Sequence, residues 1–212
     1  MMDEVRDIMN IWVFDDVLDT SQFDDYLNRL KFARFTDVVN QGIKYSDISQ
    51  DLSADDLYKY IDKRFRPYGG KVRAKTFKSN EVLSFLRAYK NKPNYRHPMW
   101  IHTDTLFADY IGIYFVQPSE FPQDDGVSVW FNKELNSIEL NTKDYTGEKN
   151  KIVDNQSLDP EKWTLFDRIE FKRNRLVIFP ASYFYSCTTY GHHGFETNKC
   201  RIVHVLFFNE RV

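Results

Sequence analysis

From residue 71 onward the sequence consists of short apolar runs separated by turn-forming residues, and this pattern constrains the fold more than any other feature. Aromatic residues make up 17% of the chain, and large flat side chains pack well on a pleated sheet. The breaks between the runs contain Pro118, Pro122, Gly126, Pro180 and Gly191. Candidate strands are 82–89, 99–102, 110–116, 127–132, 169–171, 176–179, 183–187 and 201–208.

The first third of the chain has helical periodicity instead. After a short candidate strand at 11–14, Thr20 or Ser21 can cap a helix whose apolar residues recur at three- and four-residue steps as far as Phe32. A second helix is predicted to start at Ser53, with acidic residues in its first turn. Helices followed by short strands predict an α+β fold.

This order predicts one domain over 1–212. Its helical N-terminal part covers 1–70 and its β core covers 71–212. The long polar stretch 134–160 is expected to be an insertion with little regular structure.

Charge and composition exclude several classes of protein. The net charge is −2, with basic and acidic residues interspersed, so nucleic acid is not expected as a partner. No apolar stretch is long enough for a membrane span, and the acidic start is no signal peptide. Cys187 and Cys200 are expected to be free thiols. A cytoplasmic location follows as an expectation, including the cytoplasm of a virus-infected host cell.

The segment His102-Thr103-Asp104 is the first candidate for chemistry. On a strand, residues i and i+2 point to the same face, so the imidazole and the carboxylate converge. Such a pair can supply two of the three ligands of a 2-His-1-carboxylate iron site. An HxD motif is common by chance, so the segments around it decide whether it indicates a metal site.

The order of the segments around this motif resembles the Fe(II)/2-oxoglutarate-dependent oxygenase superfamily, including small uncharacterised bacterial and viral oxygenase-like proteins. The resemblance covers 82–208. Its parts are the run 85–89, the HxD segment 100–104, the strand 111–118, the Gly-containing turn and strand 125–131, the "RLvlFp"-like segment 174–180 and the last strand 201–208.

The resemblance implies a double-stranded β-helix, or jelly roll, with the N-terminal helices packed on one sheet. It implies Fe(II) bound by His102 and Asp104, and 2-oxoglutarate as the co-substrate. Arg201, which opens the last strand, would pair with the distal carboxylate of 2-oxoglutarate, for which a planar guanidinium is suited. The implied activity is hydroxylation of a small molecule or a protein side chain.

The sequence departs from the family where the second histidine ligand is expected. Tyr185 occupies that position, and a phenol is a poor ligand for Fe(II). Three interpretations stay open. The loop containing His192 and His193 supplies the ligand, Tyr185 itself ligates, or the site is degenerate and the protein is a binding or assembly module. A cupin-like metal protein without 2-oxoglutarate is a further alternative.

The tyrosine that often contacts the co-substrate in this family falls on Phe115, with Tyr114 beside it. Tyr114 is the candidate for that contact if the alignment shifts by one residue. His204 lies three residues after Arg201 and is predicted to point to the opposite face, as a core or surface histidine. Substrate choice is expected to depend on the N-terminal helices and the insertion.

Overall fold

The computed structural model describes residues 10–40, 43–64, 71–74, 84–89, 100–116, 126–145, 147–187 and 201–211. These residues form antiparallel sheets and three α-helices, an α+β arrangement. The strands are β1 Trp12–Phe14, β2 Thr36–Asn40, β3 Ile43–Ser49, β4 Lys71–Ala74, β5 Ser84–Tyr89, β6 Tyr110–Phe115, β7 Gly126–Asn132, β8 Trp163–Glu170, β9 Arg175–Pro180, β10 Tyr185–Cys187 and β11 Arg201–Arg211. The α-helices are α1 Thr20–Leu30, α2 Asp55–Arg64 and α3 Glu148–Gln156, and single 3-10 turns lie at Thr142–Asp144 and Pro160–Lys162.

Two sheets face each other. The larger has eight strands, in the order β1-β9-β6-β11-β5-β3-β2, with β4 pairing to the end of β11. The smaller has the order β10-β7-β8. Apolar side chains from both sheets meet in one cluster, among them Val177 and Val203 from the larger sheet and Val129 from the smaller. The space between the sheets is therefore a core, and one face of the larger sheet lines it.

The other face of the larger sheet is covered by α1 and α2. Phe23, Tyr26 and Leu30 of α1 are buried there at helical spacing. Burying each such side chain contributes about 1.5–3 kcal/mol to folding. The two N-terminal helices thus pack on one sheet, on the side away from the smaller sheet.

The caps and ends of the helices differ slightly from the sequence prediction. Asp19, rather than Thr20 or Ser21, caps α1, through a capping box in which its carboxylate accepts from the Gln22 amide. The helix ends at Leu30, and Phe32 is 83% exposed. The helix predicted to start at Ser53 begins at Asp55, whose backbone amide donates to the Ser53 hydroxyl. No helix in the described part of the chain combines the length and apolarity needed to cross a bilayer.

Two other expectations about secondary structure were wrong. The N-terminal part predicted as helical also contains the β2–β3 hairpin, which extends the larger sheet through pairing of β3 with β5. The predicted insertion has regular structure, because α3 and two 3-10 turns lie within or at the end of it. Only Val153 and Gln156 are buried on α3, so its apolar periodicity was too weak to predict a helix.

A buried polar network fixes this insertion to β7. Asn132, fully buried at the end of β7, donates from Nδ2 to Gln156 Oε1 at 3.0 Å. Its Oδ1 accepts from the backbone amides of Glu134 and Leu135. Because the side-chain amides of Asn132 and Gln156 would be costly to bury without partners, the network holds both ends of the segment in one arrangement.

Candidate functional site

His102 lies in an isolated antiparallel bridge with Tyr185 rather than in a regular strand, so the strand predicted at 99–102 was wrong. Each of the two residues donates its backbone amide to the carbonyl of the other, at 3.1 and 2.9 Å. The next residues are also anchored, because the Asp104 backbone amide and the Thr103 hydroxyl both donate to the Ala181 carbonyl. The HxD segment is therefore held by backbone contacts to the β9–β10 turn region and to β10.

The orientation of the His102 ring is defined by one hydrogen bond. Its Nδ1 lies 3.0 Å from the backbone carbonyl oxygen of Trp100. A carbonyl can only accept, so Nδ1 carries the proton, and in the neutral ring Nε2 holds the free lone pair. That Nε2 lies 4.0 Å from Asp104 Oδ2. The imidazole lone pair and the carboxylate thus converge, although only His102 forms a β-bridge and the segment is not the regular strand that the i, i+2 argument assumed.

Tyr185 is the third side chain at this site, beside His102 and Asp104. It is buried at the start of β10, and its ring centroid lies 4.5 Å from that of His102 and 5.0 Å from that of Phe179. Its hydroxyl donates a hydrogen bond to Asp104 Oδ2. The residue at the expected second-histidine position is therefore brought to the HxD pair. His192 and His193, the other candidates for a third ligand, lie outside the described residues.

Arg201, the predicted anchor for a co-substrate carboxylate, is fully buried at the start of β11. Its Nη2 donates to the Gly126 carbonyl at 2.9 Å, and its guanidinium carbon lies 5.7 Å from the Phe115 ring centroid. Gly126 permits a close strand contact here, because a Cβ at this position would lie 1.9 Å from the Ile169 carbonyl oxygen. Arg201 shares the sequence parity of Val203 and Val205, which face the smaller sheet.

Tyr114 lies on the face of the larger sheet opposite to Arg201, which is not the face that a shared contact with a co-substrate beside Arg201 would need. It is buried among the residues beneath α1, and its hydroxyl donates to Asn174 Oδ1 at 2.8 Å. The next residue, Phe115, faces the core between the sheets. His204 also lies on the helix-covered side, as predicted, with Nδ1 2.5 Å from the Tyr26 hydroxyl. Burial lowers the pKa of His204 to about 3.

The insertion lies beside the HxD segment. Thr142 and Thr105 share a hydrogen bond between their hydroxyls at 3.0 Å, and the Ile101 amide donates to the Ser157 carbonyl. Burial raises the pKa of the Tyr145 hydroxyl, and the negative charges of Asp154 and Asp104 raise it further. The charge of the Asp104 carboxylate therefore acts on the Tyr145 hydroxyl. The sequence did not single out Trp100, Thr142 or Tyr145, because no local pattern marks them.

The side chains of this site fit a divalent cation that has two protein ligands, His102 and Asp104, with the phenol of Tyr185 beside them. Imidazole and carboxylate are both ligands that non-haem Fe(II) accepts. The bond from Nδ1 to a carbonyl is the outer contact that metal-binding histidines commonly make. Within the described residues, no group of three or more His, Cys, Asp and Glu side chains could hold a metal ion. His102 and Asp104 therefore form a pair, and Tyr185 is the third side chain of the site.

No protein-family model matches the sequence, and no curated protein matches it. Among solved structures, the chain is similar to the non-heme alpha ketoglutarate dependent epimerase SnoN from nogalamycin biosynthesis. The TM-score is 0.53 at 10% identity, over 94% of this chain and 77% of that one. It also matches an N-substituted L-amino acid dioxygenase from Burkholderia ambifaria AMMD (TM-score 0.47, 12% identity, 94% and 82% covered). A third match is HygX from Streptomyces hygroscopicus, solved with nickel and 2-oxoglutarate bound (TM-score 0.43, 9% identity, 94% and 81% covered).

The likeness to SnoN shows a shared fold over nearly the whole chain. At 10% identity it carries no information on substrate or activity.

Proposed function

We propose that this chain is a non-haem Fe(II)/2-oxoglutarate-dependent oxygenase with a double-stranded β-helix core, which hydroxylates a small molecule or a protein side chain. The observation that carries the proposal is the convergence of His102 Nε2 and Asp104 Oδ2, 4.0 Å apart, with the lone pair of Nε2 directed by the bond from Nδ1 to Trp100. The fold shared with an alpha-ketoglutarate-dependent epimerase supports it.

In this proposal His102 and Asp104 hold the iron. Fe(II) bound there would supply open coordination positions and electrons for the reaction of dioxygen with the keto acid. In that reaction one oxygen atom would enter succinate as 2-oxoglutarate loses carbon dioxide, and the other would enter the substrate as a hydroxyl group. The protein contributes geometry, charge and exclusion of water.

Arg201 is the proposed anchor for the distal carboxylate of 2-oxoglutarate. It is fully buried and faces the core between the sheets, into which Tyr185 also projects. A guanidinium in such an environment binds a carboxylate strongly, because the low dielectric strengthens a charge-assisted, two-pronged hydrogen bond. Phe115 offers an aromatic face beside the same guanidinium rather than a hydroxyl group.

The insertion is the proposed wall of the substrate site. Its Thr142 lies beside the HxD segment, whereas α1 and α2 pack on the far side of the larger sheet. The N-terminal helices are therefore poorly placed to choose a substrate. Loops fixed on a rigid scaffold commonly determine specificity, and Asn132 and Gln156 provide that fixation here.

The alternative is a catalytically degenerate module that keeps the fold for binding or assembly. The hydrogen bond from Tyr185 to Asp104 is the observation in its favour, because it satisfies the carboxylate without a metal. The two proposals differ in what they predict for metal uptake.

The deciding experiment is anaerobic titration of the chain with Fe(II), and then with 2-oxoglutarate. An oxygenase should bind one Fe(II) and develop the weak visible absorption of an iron-bound keto acid. His102→Ala and Asp104→Ala should abolish both signals, and Arg201→Ala should abolish only the second. Asp109→Asn removes an exposed carboxylate five residues from Asp104 and should change neither.

Failure of the wild-type chain to bind Fe(II) would contradict the oxygenase proposal and favour the degenerate module. Metal binding with no effect of 2-oxoglutarate, unchanged in Arg201→Ala, would instead indicate a cupin-like metal protein. Succinate release on admission of air would then identify the active oxygenase among these possibilities.

A further inference from the structure

Trp100 contacts the imidazole of His102 in two separate ways. Its backbone carbonyl accepts the hydrogen bond from Nδ1, at 3.0 Å. Its indole ring stacks on the imidazole, with ring centroids 4.8 Å apart and planes inclined by only 22°. Trp100 therefore contacts both one edge of the His102 ring, at Nδ1, and one of its faces.

These two contacts restrict different degrees of freedom. A stacked aromatic ring holds the plane of the imidazole, but the ring can still turn over by half a turn, because terminal torsions of this kind are broad and roughly two-fold. The carbonyl distinguishes the two orientations, because only one of them directs Nδ1–H at an acceptor. The hydrogen bond also selects the tautomer, leaving the lone pair on Nε2.

The backbone around this residue is anchored, so the carbonyl is a fixed acceptor. The amide of the fully buried Ile101 donates to Ser157, and the Thr103 hydroxyl donates to Ala181. The indole itself is 38% exposed, whereas the indole of Trp163 is 3% exposed and belongs to the core. Much of the Trp100 side chain is thus not needed to fill the interior.

We propose that Trp100 is a positioning residue for His102: its indole fixes the plane of the imidazole so that Nε2 faces Asp104 in the tautomer able to bind a cation. The inference rests on the proposed function where it concerns the metal. Its effect on the imidazole is a property of the metal-free protein.

The first test reads the tautomer directly. Protein labelled with ¹⁵N at histidine is examined without metal at about pH 8.5, where imidazoles are neutral. The wild-type chain and Trp100→Phe, which keeps an aromatic face, should show His102 as the Nδ1–H tautomer. Trp100→Leu keeps the backbone carbonyl but removes the stacked ring that holds the imidazole in line with it, so this variant should show a mixture of both tautomers. Trp100→Met supplies a more flexible apolar side chain of similar volume to leucine, and the same mixture is expected for it should the leucine variant not fold.

The second test measures the dissociation constant for Co(II) by calorimetry. Loss of contacts that orient a metal-binding histidine commonly weakens binding by about 10- to 100-fold, and a weakening in this range is expected for Trp100→Leu. Trp100→Phe should bind Co(II) as the wild type does. Phe166→Ala is a matched control, because Phe166 is also 38% exposed but lies on β8 at the edge of the smaller sheet. It should change neither the tautomer nor the affinity.

A single Nδ1–H tautomer in both Trp100→Leu and Trp100→Met would overturn the proposal, as would a loss in Trp100→Phe as large as that in Trp100→Leu. If the wild-type chain binds no Co(II), the proposed function fails. The ¹⁵N measurement then still decides whether Trp100 orients His102.

Discussion

The hydroxyl of Tyr185 donates a hydrogen bond to the carboxylate of Asp104, so the residue at the expected second-histidine position contacts a proposed metal ligand. The phenol would compete with a bound cation for the same oxygen atom. It also holds the carboxylate toward His102. Substitutions at position 185 can separate these two effects.

Replacing Tyr185 by histidine should strengthen metal binding. An imidazole at this buried position would add a neutral nitrogen ligand and remove the competing phenol. We expect the Co(II) dissociation constant of Tyr185→His to fall by at least about tenfold, as an outer contact alone is worth that much. Tyr185→Phe should still bind Co(II). Loss of binding in Tyr185→Phe would show that the phenol is itself a ligand, and calorimetry distinguishes these outcomes.

The buried His204 should make the fold sensitive to acid. Burial lowers its pKa in the folded protein to about 3, while the unfolded chain titrates near the ordinary value of about 6.5. Below that ordinary value the unfolded state binds a proton that the folded state does not. Stability contributed by neutral His204 is therefore complete above about pH 6.5 and is lost as the pH falls toward 3, by roughly 1.4 kcal/mol per pH unit.

Urea unfolding between about pH 4 and pH 7 measures this dependence. His204→Gln has no titrating group, so its free energy of unfolding should fall less steeply with acid than that of the wild type. Equal slopes for the two chains would refute the assignment. The comparison of slopes holds even though the substitution itself destabilises the core.

Tyr114→Phe should cost stability and leave the site intact. The substitution removes the hydrogen bond to Asn174 Oδ1, which also accepts from the Leu18 amide at 3.0 Å. We expect a loss of about 1 kcal/mol in the free energy of unfolding. Binding of 2-oxoglutarate should be unchanged, because Tyr114 lies beneath α1. A weakened affinity for 2-oxoglutarate would instead support the contact with the co-substrate that the sequence predicted for Tyr114.

Gly126→Ala should be strongly destabilising, by roughly 2–4 kcal/mol, because its Cβ would clash with the Ile169 carbonyl oxygen. The backbone there must move, which also displaces the carbonyl that accepts from Arg201. Gly147→Ala is the matched control. A Cβ there meets the Asp144 carbonyl oxygen at 3.5 Å, an ordinary contact. Similar thermal midpoints for the two variants would contradict this account.

The parts of the site that the sequence predicted depend on short-range geometry. His102 and Asp104 are two positions apart along the chain and converge, and Arg201 and His204, three positions apart on β11, point to opposite faces. The strands β6, β7, β9 and β11 were predicted for a similar reason, since each is a continuous apolar run bounded by turn residues.

The parts that the sequence did not predict depend on contacts between distant segments. The stack of Trp100 on His102 involves an indole that no periodicity distinguishes from an ordinary surface residue. The helix α3 is held to β7 by polar contacts of Gln156 rather than by an apolar stripe. The strand β8 is longer than predicted because it lies at a sheet edge and leaves Leu165 and Phe166 partly exposed.

The bridge between His102 and Tyr185 is made by the backbone of both residues, so it does not depend on which side chain occupies position 185. Tyrosine and histidine codons differ by a single base. One nucleotide substitution is therefore enough to exchange the phenol for an imidazole at a point where the chain already directs the side chain toward Asp104. A single substitution can therefore change the number of protein ligands that the proposed metal site offers, while the backbone contacts that position residue 185 stay the same.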